Sequence, residues 1–181
     1  MMSAFPRRVA LALFAALAAP SAASAANEQP VGKVSGLPVP RYVSLKTDRV
    51  NLREGPSKDH RTAWVFQRAG MPVEITAEYE VWRRIRDAAG TEGWVLHSLL
   101  SGRRTAVVMP WAKPGQQPLP LYDRQDEGSS VVAQLQSNVI ASVKKCDSGW
   151  CRLVIAQPGR DLSGFIRQDR LWGVYPNEKV E

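Results

Sequence analysis

The chain has 181 residues, with 24 Lys and Arg residues against 17 Asp and Glu residues and a formal net charge of +7. This length provides for one medium-sized domain or two small ones. The two cysteines lie in the second half of the chain and the two histidines, His60 and His97, in the first, so they do not predict a metal centre, and no pattern in the sequence predicts a cofactor site.

Residues 1–25 have the layout of a secretory signal peptide. The basic start MMSAFPRR precedes an apolar run over residues 9–19, and small residues lead to a predicted cleavage site between Ala25 and Ala26. The run spans 11 residues, fewer than the roughly 20 that a membrane-spanning helix needs. No second long apolar run follows. We therefore predict Sec-type export and a soluble mature protein, periplasmic or secreted.

Removal of these residues leaves 22 basic residues against 17 acidic ones, a mature net charge of about +5. Such an excess favours anionic polymers, such as cell-wall material, or acidic lipid headgroups. Nucleic acid is a poor candidate partner for an exported chain.

The elements that follow are short. Residues 26–40, with three prolines and two glycines, predict a flexible leader. Structure is predicted to begin near RYVSLKTDRVNLREGPS. Val43 and Leu45, then Val50 and Leu52, are typical of extended chain, and EGPS ends this stretch because Pro56 lacks a backbone donor. TAWVFQRAG, MPVEITAEY, VWRRIRD and WVL are predicted strands, the first ending at Gly70, and HSLL is long enough for one helical turn. Such strands predict a small antiparallel barrel.

The second half of the chain repeats this order. TAVVMPW, PLPLYD, VVAQLQSN, VIASVKKC, WCRLVIA and GFI are its predicted strands. GFIRQDRLWG at 164–173 matches GWVLHSLLSG at 93–102 with glycine at both ends, an aromatic residue second and leucine eighth. Agreement at such positions, with divergence between them, indicates an old duplication of one small fold.

These motifs resemble a known family. VNLREGPS, a strand carrying tryptophan (VWRRI), then GWV and one helical turn are similar to bacterial SH3 (SH3b) domains, and GWVLHSLLSGRRTAVV resembles exported SH3-domain proteins of proteobacteria. The resemblance implies an all-β fold of two tandem SH3-like barrels, domain 1 over 41–105 and a more divergent domain 2 over 106–175, before a tail over 176–181. It implies a targeting or binding module for cell-wall peptides or partner proteins.

The two cysteines predict a disulfide. Cys146 and Cys151 flank the turn DSGW in a chain that we expect to be exported. Antiparallel neighbours across such a turn lie near the separation that a disulfide needs, and an oxidising compartment preserves the bond. No base or further ligand accompanies them, so a catalytic thiol or a metal site is the weaker interpretation.

The strand VWRRIRD is the main candidate for ligand binding. Alternation places Trp82, Arg84 and Arg86 on one face, opposite Ile85, which is the natural core residue. Aromatic and guanidinium groups together grip anionic or peptide ligands. Under the other interpretation, Trp82 only covers a thin barrel and the arginine stems lie across it.

Three further residues would join this candidate site if the preceding loop folds over the same face. They are Arg53, Glu54 and Tyr79.

The short connection between the halves predicts a rigid pair of barrels. Val107, Val108 and Trp111 are expected at or near the junction, and a groove between the repeats is a further candidate site.

Three functional hypotheses follow. The first is an exported, non-catalytic module for peptidoglycan peptide or glycan, and the second is a periplasmic adaptor that binds a protein partner. The third, a cell-wall hydrolase, is disfavoured because two barrels leave no room for a catalytic domain and the sequence shows no catalytic set of residues.

Overall fold

The computed structural model describes residues 30–181, so the predicted signal peptide and the cleavage site at Ala25 and Ala26 lie outside the described residues. Seven strands form the first half: β1 (Arg41–Leu45), β2 (Val50–Arg53), β3 (Thr62–Phe66), β4 (Pro72–Tyr79), β5 (Trp82–Arg86), β6 (Glu92–Leu96) and β7 (Leu100–Ser101). A one-turn 3₁₀ helix, His97–Leu99, joins β6 to β7.

The second half has the same series of elements. Its strands are β8 (Thr105–Val108), β9 (Leu119–Tyr122), β10 (Val131–Leu135), β11 (Ile140–Asp147), β12 (Trp150–Ile155), β13 (Leu162–Arg167) and β14 (Leu171–Trp172). A 3₁₀ helix, Gln168–Arg170, joins β13 to β14.

The two halves share one topology. The strand order is β3-β2-β6-β5-β4-β1-β7 in the first sheet and β10-β9-β13-β12-β11-β8-β14 in the second. Each strand of the second sheet is therefore the counterpart of the strand seven places earlier. Within residues 30–181 the two sheets are separate, and the pairings that build them are antiparallel. This confirms the predicted all-β fold with two tandem SH3-like barrels.

Each barrel has its own core because alternate residues of a strand point inward. In β2, Val50 and Leu52 are fully buried, whereas Asn51 between them is exposed. The first core consists of Val43, Leu45, Val50, Leu52, Phe66, Val73, Ile75, Ile85 and Val95. The second core is separate, is drawn from the counterpart strands and includes both cysteines.

The glycine that opens each matched decapeptide allows two strands to approach closely. A Cβ atom at Gly93 would lie 2.6 Å from Cγ of Leu52 and 2.8 Å from the carbonyl oxygen of Arg53. A Cβ atom at Gly164 would lie 2.7 Å from the carbonyl oxygen of Tyr122. The shared glycine is thus explained by the contact of β6 with β2 and of β13 with β9.

The predicted disulfide between Cys146 and Cys151 is confirmed. The two residues face each other across the β11–β12 pair, with a Cα–Cα distance of 4.1 Å. Among residues 30–181, no helix has the length and apolar character needed to cross a membrane.

Residues 30–40 form a compact structure, here called the N-terminal turn, within the region predicted to be a flexible leader. The carboxylate of Glu78 accepts hydrogen bonds from the N–H groups of Val34 (3.2 Å) and Ser35 (2.9 Å) and from Oγ of Ser35 (2.6 Å). Proline and glycine content alone did not reveal this structure, because the group that fixes the turn lies more than 40 residues away in the sequence.

Two arginines complete the surroundings of Glu78. Arg41 donates to its carboxylate at 2.7 Å, and Nε of Arg83 lies 3.4 Å from it. Burial by itself would raise the pKa of Glu78. The hydrogen bonds from Ser35 and Arg41, with the charge of Arg83, outweigh burial and lower the pKa to about 2.

Aromatic side chains join the two barrels. The ring of Tyr42 lies 5.1 Å from Trp172, edge to face, and 4.6 Å from Tyr175. Tyr175 also donates its hydroxyl hydrogen to Glu74 at 2.8 Å, and Glu74 in turn accepts from Nε of Arg86 at 2.9 Å. Burial and the charge of Glu74 raise the pKa of Tyr42 to about 12. Burial and the hydrogen bond to Glu74 raise the pKa of Tyr175.

The residues expected at the junction differ in their environment. Val108 is fully buried within the second core. Val107 is buried but belongs to neither core, and its strand, β8, lies next to β4 of the first barrel. Trp111 is 54% exposed and lines a groove that also contains Tyr42. Sequence alone did not reveal the role of Tyr175, which lies beyond the last strand.

Candidate ligand-binding site

A groove on the outer face of the first barrel contains two of the six predicted binding residues. We call it the Trp82 groove; its volume is about 280 Å³. It lies where β2, the start of β5 and the end of β6 meet the loops after β1 and β2 and the first 3₁₀ helix. Its lining residues are Arg49, Asn51, Arg53, Lys58, Trp82, Leu96 and Leu99.

Strand alternation places these side chains on the outer face. Asn51 and Arg53 alternate with the buried residues of β2, and Trp82 is opposite Leu96 in the β5–β6 pair. The predicted face of Trp82 is therefore correct. Only 6% of Trp82 is accessible, which agrees with the interpretation in which this residue covers the barrel. The indole lies covered at the groove rather than standing free beside Arg84.

Arg84 and Arg86 lie on the same outer face but are paired with carboxylates. Nη2 of Arg84 donates to Glu92 at 2.6 Å, and Nε of Arg86 donates to Glu74 at 2.9 Å. The hydrogen bond to Glu74 raises the pKa of Arg86. The basic stripe anticipated along β5 is thus largely neutralised by the strands on either side of it.

The other predicted residues have separate roles. Arg53 donates to the carbonyl oxygens of Lys58 (2.9 Å) and His60 (2.7 Å), so it orders the loop between β2 and β3. Glu54 forms an ion pair with Arg61 in the same loop. Tyr79 is 51% exposed and is opposite Trp82 in the β4–β5 pair, outside the groove lining.

Arg49 and Lys58 supply the charge at the rim of the groove. Both are exposed, and within residues 30–181 neither forms an ion pair. The lining contains no acidic residue. Sequence reasoning missed both residues, although alternation around β2 places Arg49 on the same face as Asn51 and Arg53. Lys58 had no such signal, because its position depends on how the loop folds.

Two further grooves bear on the hypotheses stated above. The larger, of about 750 Å³, follows edge strand β3 past the exposed Trp64, and its buried Asp87 accepts hydrogen bonds from the N–H groups of Ala89 and Thr91 in its own turn. The other, of about 480 Å³, lies between the barrels at Tyr42 and Trp111, as predicted. Residues 30–181 contain no group of three His, Cys, Asp or Glu side chains placed to hold a metal ion.

Two tandem SH3-like barrels, with an aromatic residue in a groove beside the loops, define a class of binding modules. The family model described as bacterial SH3 domain matches residues 46–102 and 115–173, one match in each barrel. The matches cover more than half of the chain, which therefore belongs to the bacterial SH3 domain family. Such domains are generally binding modules rather than catalytic ones, often for cell-wall material. No curated protein matches this chain.

Proposed function

We propose that the protein is an exported, non-catalytic module that binds cell-envelope material, with peptidoglycan peptide as its ligand and peptidoglycan glycan as the less favoured one. Membership of the family supports a binding role. The predicted signal peptide, the mature charge of about +5 and the disulfide support a location outside the cytoplasm next to an anionic polymer.

The Trp82 groove is the observation that carries this proposal. It combines apolar surface from Trp82, Leu96 and Leu99 with the unpaired cations of Arg49 and Lys58. Peptidoglycan stem peptides carry small apolar side chains and free carboxylates, which are the complementary groups. A charged rim around an apolar floor also gives orientation and specificity to a small ligand.

Retention on purified sacculi at low and at high salt tests the proposal. We expect the wild-type protein to be retained at low salt, and the variant Arg49→Ala/Lys58→Ala to be retained at least tenfold less. The matched control is Lys144→Ala/Lys145→Ala, which removes the same charge from exposed positions on β11 and should behave as the wild type. Absence of wild-type retention at both salt concentrations would contradict the proposal.

A second candidate function is that of a periplasmic adaptor for a protein partner. The groove along β3 favours it, because Trp64 is 57% exposed beside an edge strand that can accept an extended peptide. Co-purification from envelopes whose sacculi have been digested distinguishes the two candidates. A partner that is lost on Trp64→Ala but not on Lys58→Ala would favour the adaptor.

Catalysis and export have direct tests. The non-catalytic proposal predicts no release of label from labelled sacculi by the purified protein, and release would overturn it. Export predicts that the mature protein begins at Ala26, which N-terminal sequencing of the envelope fraction measures.

A further inference from the structure

The second barrel contains a groove at the same place as the Trp82 groove. Arg53 pairs with Trp94 in the first sheet, and Tyr122 pairs with Phe165 in the second, so Arg53 and Tyr122 are counterparts. The same registers give six counterpart positions. These pairs are Asn51 and Pro120, Arg53 and Tyr122, Lys58 and Glu127, Trp82 and Trp150, Leu96 and Arg167, and Leu99 and Arg170. Of these second-barrel residues, all except Trp150 line a groove of about 210 Å³.

In the second groove, charged side chains are already paired with one another and with the tryptophan. The guanidinium carbon of Arg167 lies 5.2 Å from the centroid of the Trp150 ring, within cation–π distance. Nε of Arg167 is 3.9 Å from the carboxylate of Glu127, and the ring of Tyr122 meets Trp150 edge to face at 5.8 Å. Trp150 therefore already has a cation, Arg167, over its ring, and Arg167 already has an anion, Glu127, near it.

The first groove has the opposite arrangement. Leu96 stands in place of Arg167, so Trp82 has no cation from this position. Lys58 replaces Glu127, which turns the acidic position into a basic one. Arg53, in place of Tyr122, donates to loop carbonyl oxygens instead of covering the indole. The apolar lining of Leu96 and Leu99 is therefore combined with the positive charge of Arg49 and Lys58, which form no ion pair within residues 30–181.

We propose that the chain has one working groove, that of the first barrel, and that it selects a carboxylate-bearing peptide. This inference rests on the proposed function and names the ligand chemistry of its site. A carboxylate binds Lys58 and Arg49, while a small apolar side chain packs against Leu96 and Leu99 beside Trp82. In the second barrel, Arg167 lies over Trp150 and near Glu127, so its charge is already compensated in the corresponding groove.

The probes are a soluble stem pentapeptide, L-Ala–γ-D-Glu–L-Lys–D-Ala–D-Ala, and the same peptide with its carboxylates amidated. Isothermal titration of the full mature chain gives affinity and stoichiometry. We expect one site per chain and at least tenfold weaker binding of the amidated peptide. Two equal sites in the wild type, or equal binding of both peptides, would overturn the inference.

Exchange of the two determining positions tests each groove separately. Lys58→Glu/Leu96→Arg gives the first barrel the residues of the second barrel at these two positions and should abolish binding. The single variant Lys58→Glu should also abolish binding, and it serves as the test if the double variant does not fold. Lys144→Ala, which changes the net charge by the same amount as the double variant, should bind as the wild type does. Retained binding in Lys58→Glu would contradict the inference.

The reverse exchange, Glu127→Lys/Arg167→Leu, gives the second groove the residues of the first at these positions. It should raise the binding stoichiometry to two sites per chain. A stoichiometry that stays at one in the folded variant would contradict the role given to Arg167 and Glu127. If sacculi retain the wild type but the pentapeptide does not bind, the inference fails and the proposed function stands only with glycan as the ligand. If sacculi do not retain it, the proposed function itself fails.

Discussion

At the scale of single residues, Gly93 allows β6 to pass close to β2. Gly93→Ala places a methyl group against Leu52 and a backbone carbonyl, and overpacking of this kind costs about 1–3 kcal/mol. We expect the free energy of unfolding of the first barrel to fall by that amount. Denaturant unfolding followed by tryptophan fluorescence measures it.

Gly102→Ala is the matched control for this substitution. A Cβ atom at Gly102 would meet no heavy atom within 4 Å, so its stability should stay within about 0.5 kcal/mol of the wild type. Equal effects at Gly93 and Gly102 would show that the close approach of the strands does not explain the repeated glycine.

Trp82 shows what a sequence can and cannot predict about one residue. Alternation with Ile85 predicts the correct face of the strand, because that pattern is local. Its burial depends on how other elements pack around it, such as β6, where Leu96 is its partner across the sheet. The partners of Arg84 and Arg86 depend in the same way on strand register, which the sequence alone did not define.

At the scale of elements, the disulfide stabilises the hairpin of β11 and β12. Closing so short a loop contributes about 2 kcal/mol in the chain-entropy description. The N–H of Cys146 donates to the carbonyl of Val180 at 2.9 Å, and the N–H of Val180 donates back at 3.1 Å. Cys146 therefore also holds the C-terminal segment against the second barrel.

We expect Cys146→Ala/Cys151→Ala to lower the free energy of unfolding by about 2 kcal/mol or more, since both side chains also pack in the core. Amide exchange at Val180 should accelerate at the same time. Wild-type protein kept under a reductant is the control that retains both side chains. Unchanged stability in both samples would show that the disulfide contributes nothing to this element.

The N-terminal turn should depend on pH through Glu78. Its folded pKa of about 2 lies below the ordinary value of 4.5, so its contribution to stability is complete above about pH 4.5 and is lost as the pH falls toward 2. Amide exchange of Val34 and Ser35 should therefore accelerate across this range, relative to intrinsic exchange.

Glu78→Gln tests the origin of that dependence. In this variant, amide exchange of Val34 and Ser35 should already be fast at neutral pH and should change little on acidification. Glu80→Gln, at an exposed neighbouring position, should leave the exchange rates and their pH dependence unchanged. Protection of Ser35 that is identical in the wild type and Glu78→Gln would contradict the role of this carboxylate.

The elements differ in how well the sequence predicted them. The strands carry period-two patterns bounded by glycine, proline and polar turns, and these signals are contained within each segment. The 3₁₀ helix Gln168–Arg170 was not predicted. The N-terminal turn has no apolar pattern of its own. Three contacts to Glu78 from a distant strand order it, and a contact of that kind leaves no mark in the local sequence.

At the scale of the whole molecule, duplication preserved the fold and changed the chemistry of the grooves. Strand order, the paired glycines and the tryptophan that begins β5 or β12 are common to both barrels. These positions define the barrel itself. Lys58 and Glu127, or Leu96 and Arg167, lie on the outside, where the fold tolerates either residue. The two barrels are therefore free to differ in binding while sharing one architecture.

The contact between the barrels should make the pair rigid, and Tyr175 tests it. Its hydroxyl hydrogen bond to the buried Glu74 joins the C-terminal segment to β4, and a hydrogen bond to a charged group contributes about 1.5–3 kcal/mol. We expect Tyr175→Phe to accelerate limited proteolysis between residues 103 and 115, while Tyr79→Phe, at an exposed tyrosine, leaves it unchanged. In the wild type, cleavage should begin elsewhere. First cleavage of the wild type between residues 103 and 115 would contradict a rigid junction, because a connection held by both barrels is a poor protease substrate.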